Sequence, residues 1–396
     1  MKKLVLIGVF FIMISLLSGC SSAGGYYRNG KKYFAAGNYE EAVRNFALAI
    51  DENPDRAEYY IGYGMSLIGL SRYEEATRQF DKVIMDKKIA IVLGNNKRAL
   101  RGKGIAYIHL KNFKEAIEQF DEALNIRVST DLDMDILYYK GKALMNVGDY
   151  AEAAEVYTDI IRQFGEEAQV LADRAYAYQK TGEYEKGLDD YDRAIALQKN
   201  NYEYYFGKYY LLQKTGRTYE SHEVLKQASE IPVNTKADKF NLAKIHFYQG
   251  LHDQSFPELS ESFAYGFAEA YFYIGEIYNQ KKDYSTAKYY YEKYIEEEDI
   301  GTPEVYNQIA HCLIKMEEYE QALPYLETGI AFADEDRMRA MLKNEIIVYE
   351  YLGDFEKALA KLQSYIAVYP EDEDAKREKS FILSRMPAES SDIINP

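Results

Sequence analysis

Residues 30–54 read GKKYFAAGNYEEAVRNFALAIDENP, and this pattern of aromatic and small residues returns along most of the chain. Its centre is Tyr39-Glu40-Glu41-Ala42, an aromatic residue followed three positions later by a small one. The motif returns about every 34 residues, which suits a unit of two helices joined by a turn. Because a single hairpin does not bury its apolar face, this period predicts a row of stacked helical hairpins.

Ten small or degenerate positions mark the successive units, with steps of 32 to 40 residues between them. They are Ala42, Ala76, Ala116, Ala153, Gly187, His222, Ser255, Ala287, Ala322 and Ala358. A glycine stands twelve positions earlier in five units, at Gly30, Gly64, Gly104, Gly141 and Gly275. An aromatic residue stands four positions later in six units, at Phe46, Phe80, Phe120, Tyr157, Tyr191 and Tyr291.

Together these positions resemble the tetratricopeptide repeat family over about residues 23–370. The resemblance implies an all-α fold, a right-handed superhelical solenoid of about ten helix-turn-helix repeats over residues 26–370. It is weakest at His222 and Ser255, where polar residues replace the expected small and apolar ones. Proteins of this kind usually bind other proteins rather than catalyse reactions.

The residue types suit such hairpins. Glycine on a first helix lets the second helix approach closely, and the aromatic side chain fills the space beside it. Glycines such as Gly37 and Gly148 suit the left-handed end of a first helix. The following residues, Asn38 and Asp149, are predicted N-caps of the second helices.

The N-terminus predicts export. Lys2 and Lys3 precede an apolar stretch over residues 4–17, which is too short for an ordinary membrane-spanning helix. Residues 17–20, LSGC, resemble the bacterial lipobox. That resemblance implies a signal peptide at residues 1–19, diacylglycerol on Cys20 and a flexible tether over residues 20–25. An ordinary signal peptide or anchor with an incidental cysteine is the alternative.

Charge and composition restrict the classes of ligand and of activity that the sequence supports. The formal net charge is −16, and loss of Lys2 and Lys3 would make it −18, so binding to nucleic acid or to an anionic membrane surface through the net field is not expected. No phosphate-binding loop, nucleophile elbow or zinc-protease helix occurs, which predicts a protein without enzymatic activity, cofactor or metal. Cys312, among apolar residues, is interpreted as a buried free thiol.

Several segments depart from the regular period. Insertions lie around residues 85–96 and 127–135, and Pro232 and Pro257 interrupt the helical pattern over residues 218–268, which predicts a bend or an irregular pair of helices. Residues 371–386 read as a C-terminal capping helix. Residues 387–396 are predicted to be a disordered tail.

The resemblance also suggests a binding surface. In this family the ligand usually lies in a concave groove lined by the first helices. The corresponding positions here are Lys31, Arg98, Arg101, His109, Tyr138, Lys142, Asn146, Tyr176 and Lys180. Their basic side chains suit an acidic peptide, although surface lysines and arginines are more often simply solvated. A second candidate surface is the aromatic set Phe240, Phe247, Tyr248 and Phe272, which is a partner site only if it is exposed.

These features predict an exported scaffold, lipid-anchored to the cell membrane, or to the outer membrane if the bacterium has one. It would bind a protein or peptide partner through its first helices. One alternative is an assembly or structural factor of a cell-envelope machine, in outer-membrane, pilus or cell-wall biogenesis. Another is an enzyme or the regulatory arm of one.

Overall fold

A computed structural model describes residues 22–298, 301–333 and 335–386, and this part of the chain is helical without any strand. The chain divides into two compact units, Met1–Ser221 and His222–Pro396. Unit one contains α1 (22–35), α2 (Tyr39–Glu52), α3 (Ala57–Gly69), α4 (Tyr73–Asp81), α5 (Ala90–His109), α6 (Phe113–Asn125), α7 (Asp133–Val147), α8 (Tyr150–Phe164), α9 (Ala168–Thr181), α10 (Tyr184–Leu197) and α11 (Tyr202–Lys214). The boundary falls within α12 (Thr218–Ser229). Unit two continues with α13 (Lys236–Tyr248), α14 (His252–Ala264), α15 (Glu269–Gln280), α16 (Tyr284–Glu298), α17 (Pro303–Lys315), α18 (Tyr319–Phe332), α19 (Glu335–Tyr351), α20 (Phe355–Val368) and α21 (Glu373–Arg385).

Each odd-numbered helix from α1 to α19 is followed along the chain, after a short turn, by an even-numbered helix. The described residues therefore contain ten helix-turn-helix pairs, as predicted, which we call hairpins. Every hairpin turn contains one residue with positive φ. These residues are Gly37, Ser71, Lys111, Gly148, Gly182, Gly216, Gly250, Lys282, Glu317 and Gly353. At Gly148, with φ of 87°, the next amide, on Asp149, donates to the Leu144 carbonyl at 3.0 Å and closes the end of α7.

The turn fixes the register of the second helix, because a small buried residue follows the positive-φ residue by five positions in every hairpin. In the sixth hairpin, Gly216 therefore leads to Ser221, which is fully buried, whereas His222 is exposed. The assignment of His222 to the small position was wrong by one residue. With the corrected register, Leu225 and Ala228 take the expected apolar positions and are fully buried.

The glycines of the first helices contact the aromatic side chains of the second helices, as predicted. The ring of Phe46 on α2 lies between Gly30 on α1 and Gly62 on α3. A Cβ atom on either glycine would come within 2.9 Å and 2.6 Å of the ring, respectively. Full burial of such a side chain stabilises the fold by about 1.5–3 kcal/mol, and here it joins one hairpin to the next.

Residues 22–25 differ from the predicted flexible tether, because they form the start of α1. Ala23 is buried in a cluster with Ala49 and Tyr59, and the Ser22 hydroxyl donates to Glu52 at 3.0 Å. Apolar burial and this hydrogen bond favour helix over an extended tether. Cys20 and the signal peptide at residues 1–19 lie outside the described residues.

One of the two predicted N-caps is present. Asn38 caps α2 through the Glu41 amide as predicted, but Asp149 makes no side-chain cap on α8.

The irregular segment over residues 218–268 consists of helices and loops. Thr235 and Asp238 form a capping box at the start of α13, and Pro257 lies inside α14. The predicted interruption of the helix at Pro257 is therefore wrong.

The predicted capping helix at residues 371–386 corresponds to α21, and Asp372 caps its start through the Ala375 amide. Residues 387–396, the predicted tail, lie outside the described residues. Among the residues that the structure describes, no helix combines the length and apolarity needed to cross a bilayer.

Candidate functional site

The predicted binding residues lie on the first helices α1, α5, α7 and α9, all in unit one. They differ in exposure. Lys31, Arg98, His109, Asn146 and Tyr176 are exposed, whereas Arg101, Tyr138, Lys142 and Lys180 are half-buried. We call the surface that these helices and α11 share the first-helix face.

Two of the predicted basic residues form ion pairs with the next hairpin. Arg101 on α5 pairs with Asp135 on α7, and the Lys142 ammonium on α7 lies 2.9 Å from an Asp173 carboxylate oxygen on α9. Gln169 donates to the same Asp173 oxygen at 3.0 Å. The carboxylates reduce the positive field that the sequence predicted for this part of the face, so it suits an acidic ligand less well than expected.

Tyr138 lies beside the second ion pair. Its ring centroid is 5.5 Å from the Lys142 ammonium. Burial and the Asp173 carboxylate raise the pKa of Tyr138 well above its ordinary value. The phenol therefore stays neutral at physiological pH.

The other predicted residues have local contacts. The Lys31 ammonium lies 5.7 Å from the centroid of the Tyr27 ring, and Arg98 contacts Asn95 at 3.4 Å. Asn146 donates to the Lys142 carbonyl at 2.8 Å. His109 stacks on Tyr73, with ring centroids 4.7 Å apart.

The clearest repeated surface feature is formed by α9 and α11. Tyr176 on α9 and Tyr210 on α11 hold equivalent positions, and each is 42% exposed. One helical turn later stand Lys180 and Lys214. Tyr210 and Lys214 were missed by the sequence analysis, although the 34-residue step from Tyr176 and Lys180 indicates both of them.

A second set of basic residues on the first helices has a structural role. Lys103, Lys140, Arg174 and Lys208 each contact the preceding second helix. Arg174 is also buried against Asp190, and two of its guanidinium nitrogens each donate to that carboxylate at 2.7 Å. These residues connect neighbouring helices.

The second candidate surface, in unit two, is mostly packed. Phe240 and Phe247 are only 6% and 8% exposed and belong to one apolar cluster. The Tyr248 hydroxyl lies 3.1 Å from that of Tyr273, and the Phe272 ring contacts Tyr291 with centroids 5.7 Å apart. The exposure that an apolar partner site requires is therefore missing at Phe240 and Phe247.

The described residues hold no group of three or more histidine, cysteine or acidic side chains that suits a metal ion. His246 instead contacts Glu258 at 2.6 Å and Gln254 at 3.2 Å. Cys312 is a free, fully buried thiol, and burial raises its pKa to about 12. A thiol with so high a pKa is a poor nucleophile at neutral pH.

Sequence models of the tetratricopeptide repeat match residues 27–88 and 138–202, residues 98–127 and 303–336, and residues 269–298 and 347–372. Together the matches cover more than half of the chain. The chain belongs to the tetratricopeptide repeat family. Proteins of this family are generally scaffolds without catalytic activity, and membership supports interaction with other proteins as the general role of this chain.

Solved structures of tetratricopeptide repeat proteins resemble this one at low sequence identity. Yeast Tom70 is 15% identical over 91% of this chain and 89% of that chain, with a TM-score of 0.52. A tetratricopeptide repeat protein from Parabacteroides merdae is 13% identical over 62% of this chain and 94% of that chain, with a TM-score of 0.47. YrrB, described as having an unusual peptide-binding site, is 18% identical over 47% of this chain and 91% of that chain, with a TM-score of 0.39.

The likeness to Tom70 supports the fold of this tetratricopeptide repeat protein and carries nothing about its ligand. A search of curated proteins found no match. The ligand therefore has to be inferred from the chemistry of the first-helix face.

Proposed function

We propose that this tetratricopeptide repeat protein is a lipid-anchored scaffold of the bacterial cell envelope. It binds an extended segment of a partner protein across the first-helix face of unit one, without catalysing a reaction. The observation that carries this proposal is the repeated pair of an exposed tyrosine and a lysine on α9 and α11.

The repeated pair suggests what the partner segment contains. Tyr176 and Tyr210 supply rigid, amphipathic contact area, which is typical of residues that dominate binding energy. Lys180 and Lys214 suit carboxylates of the partner. Packed helices lie about 8–10 Å apart and an extended chain rises about 3.3 Å per residue. The face therefore matches a segment with acidic residues about three positions apart.

The binding surface is tested by replacing both tyrosines with alanine and measuring partner capture by in-cell crosslinking and mass spectrometry. Loss of two such contacts should weaken binding by about tenfold to a hundredfold. Charge reversal at Lys180 and Lys214 should weaken it as well. Tyr289→Ala is the control, because Tyr289 is 53% exposed but lies on the second helix α16.

The outcomes separate the candidate functions. One reproducible partner that is lost with both tyrosines supports a scaffold and identifies its binding face. A set of envelope-machine subunits that is captured equally by all variants would contradict this site and favour an assembly or structural factor.

The proposed lipid anchor rests on the lipobox-like residues 17–20 and the apolar stretch before them. Two acyl chains give stable membrane attachment where a single chain does not. We expect mass spectrometry to show cleavage before Cys20 and acylation of its thiol, and Cys20→Ala to release the processed protein or block its processing. An unmodified thiol in a membrane-bound chain would support an ordinary signal anchor instead.

A further inference from the structure

The two insertions in the repeat pattern come together at the start of α5. The loop over residues 82–89 precedes this helix, and the loop over residues 126–132 lies beside it. The side chain of Asn96 holds the first loop, because it accepts from the Met85 amide at 3.1 Å and donates to the Met85 carbonyl at 2.7 Å. The next residue, Lys97, is fully buried and holds the second loop by donating to the Ile126 carbonyl at 2.9 Å.

The first loop and the first turn of α5 present apolar side chains to solvent. Met85, Ile89 and Ile91 are 46%, 58% and 72% exposed, and Lys87 and Lys88 stand between them. We call these five residues the insertion patch. Exposed isoleucine is costly in water, and neither Ile89 nor Ile91 belongs to the apolar clusters of the neighbouring hairpins.

The charge around the patch differs from that of the whole chain. The two loops contain the basic residues Lys82, Lys87, Lys88 and Arg127 and only two acidic ones, Asp86 and Asp131. The protein as a whole has a net charge of −16. The patch is thus a locally basic, apolar surface on an acidic protein.

We propose that the insertion patch contacts the surface of an anionic lipid bilayer. Lysines near an anionic surface gain Coulomb energy there, while adjacent isoleucine and methionine side chains enter the boundary between headgroups and acyl chains. A stable protein interface usually buries about 800 Å² on each partner, which is more than five neighbouring residues provide. The bilayer is therefore the occupant that fits both the chemistry and the size of the patch.

The absence of tryptophan from the chain gives a direct test. The full chain carrying Ile91→Trp is mixed with vesicles that contain brominated phosphatidylglycerol, and with brominated phosphatidylcholine vesicles for comparison. The matched control is Tyr219→Trp, because Tyr219 is 78% exposed on α12. Circular dichroism checks that both variants keep their helical content.

We expect the emission of Ile91→Trp to shift to the blue and to be quenched by the anionic vesicles, while the control changes little. Adding Lys87→Glu and Lys88→Glu should reduce the quenching to the level of the control. Identical emission with and without anionic vesicles would overturn the proposal. A blue shift that needs no lipid and grows with protein concentration would also overturn it, since it indicates a protein partner or a second copy.

The result does not depend on the lipid anchor. Acylation of Cys20 is determined from the mass of the N-terminal peptide, whereas contact of the patch is determined from the tryptophan at position 91. The two proposals are therefore tested independently, and failure of one leaves the other unaffected.

Discussion

Four hairpin turns place a residue with a side chain in the left-handed backbone region. Ser71, Lys111, Lys282 and Glu317 have φ between 58° and 62°, where the other six hairpins have glycine. This conformation costs about 1–2 kcal/mol for a residue with a Cβ atom, while glycine adopts it freely. These four turns therefore retain some strain.

Replacing Lys111 with glycine should raise the free energy of unfolding by about 0.5 kcal/mol, because the relief of strain exceeds the added entropy of the unfolded chain. Gly148→Ala should lower it by about 1 kcal/mol. Urea unfolding followed by circular dichroism measures both changes. The control is Gly25→Ala, since Gly25 lies in α1 with open space around it. Equal effects of Gly148→Ala and Gly25→Ala would contradict this explanation.

The sixth hairpin shows what the sequence pattern could and could not predict. The aromatic and small spacing correctly predicted ten hairpins, but it placed His222 where Ser221 packs. The better guide was Gly216, since the turn residue precedes the small residue by five positions throughout. Polarity did not distinguish the two residues, because both are polar, although serine is the smaller of the two.

A carboxyl pair near the C-terminus makes stability depend on pH. Burial and the neighbouring carboxylate of Glu378 raise the pKa of Glu350 to about 7. The folded protein thus keeps a proton that an unfolded glutamate releases at about pH 4.5. The tighter binding of this proton in the folded state stabilises the protein. The stabilisation is fully present below about pH 4.5 and is lost as the pH rises through about 7.

Glu350→Gln should therefore stabilise the protein at about pH 8 by roughly 1 kcal/mol, a figure reduced for the partial exposure of this side chain. At about pH 4.5 it should change little, because the wild-type carboxyl group is then already neutral. Thermal unfolding at the two pH values measures the difference. Glu356→Gln, an exposed substitution on α20, is the control. An equal shift at both pH values would show that titration of Glu350 is not the cause.

At the scale of helices and loops, Asn96 and Lys97 each stabilise one of the two inserted loops through side-chain hydrogen bonds. Lys97 also forms an ion pair with Asp133 at the start of α7, so its loss leaves a partly buried carboxylate without that cation. Asn96 has its hydrogen bonds to the other loop. Adjacent residues on α5 thus order two separate segments of the chain.

Limited digestion with trypsin tests this division. Asn96→Ala should speed cleavage after Lys87 and Lys88, because the loop before α5 loses both hydrogen bonds. Lys97→Met should speed cleavage after Arg127 instead. Each variant is the control for the other, and mass spectrometry identifies the cut sites. If either variant is cleaved faster by the same factor at both loops, Asn96 and Lys97 do not each stabilise a separate loop.

The helices that carry the candidate residues were predictable from the sequence, but the ion pairs of these residues were not. The repeat register put Arg101 and Lys142 on the first helices, where the structure has them. Their partners, Asp135 and Asp173, stand 34 and 31 residues later, on the first helix of the next hairpin. A pattern read within one repeat does not reveal such pairs, because the acidic residues become neighbours only when hairpins stack.

At the scale of the molecule, each unit is held together by contacts between neighbours. The main packing joins a helix to the next helix, or to the next but one, as between α3 and α5 or between α17 and α19. In such arrays stability is approximately a sum of the stability of each repeat and of its interfaces with adjacent repeats. A local defect should therefore stay local.

Gly141→Ala provides the defect, because its Cβ atom would come within 2.6 Å of the buried Tyr157 ring. Overpacking of this kind costs about 1–3 kcal/mol. Hydrogen exchange followed by mass spectrometry should show faster exchange in α7 and α8 and in the adjoining α6 and α9, with α17–α20 unchanged. The residues of unit two serve as the internal control. Uniform acceleration across α1–α20 would show that the protein opens as one cooperative body and would contradict additive stability, since neighbour contacts alone do not transmit the defect that far.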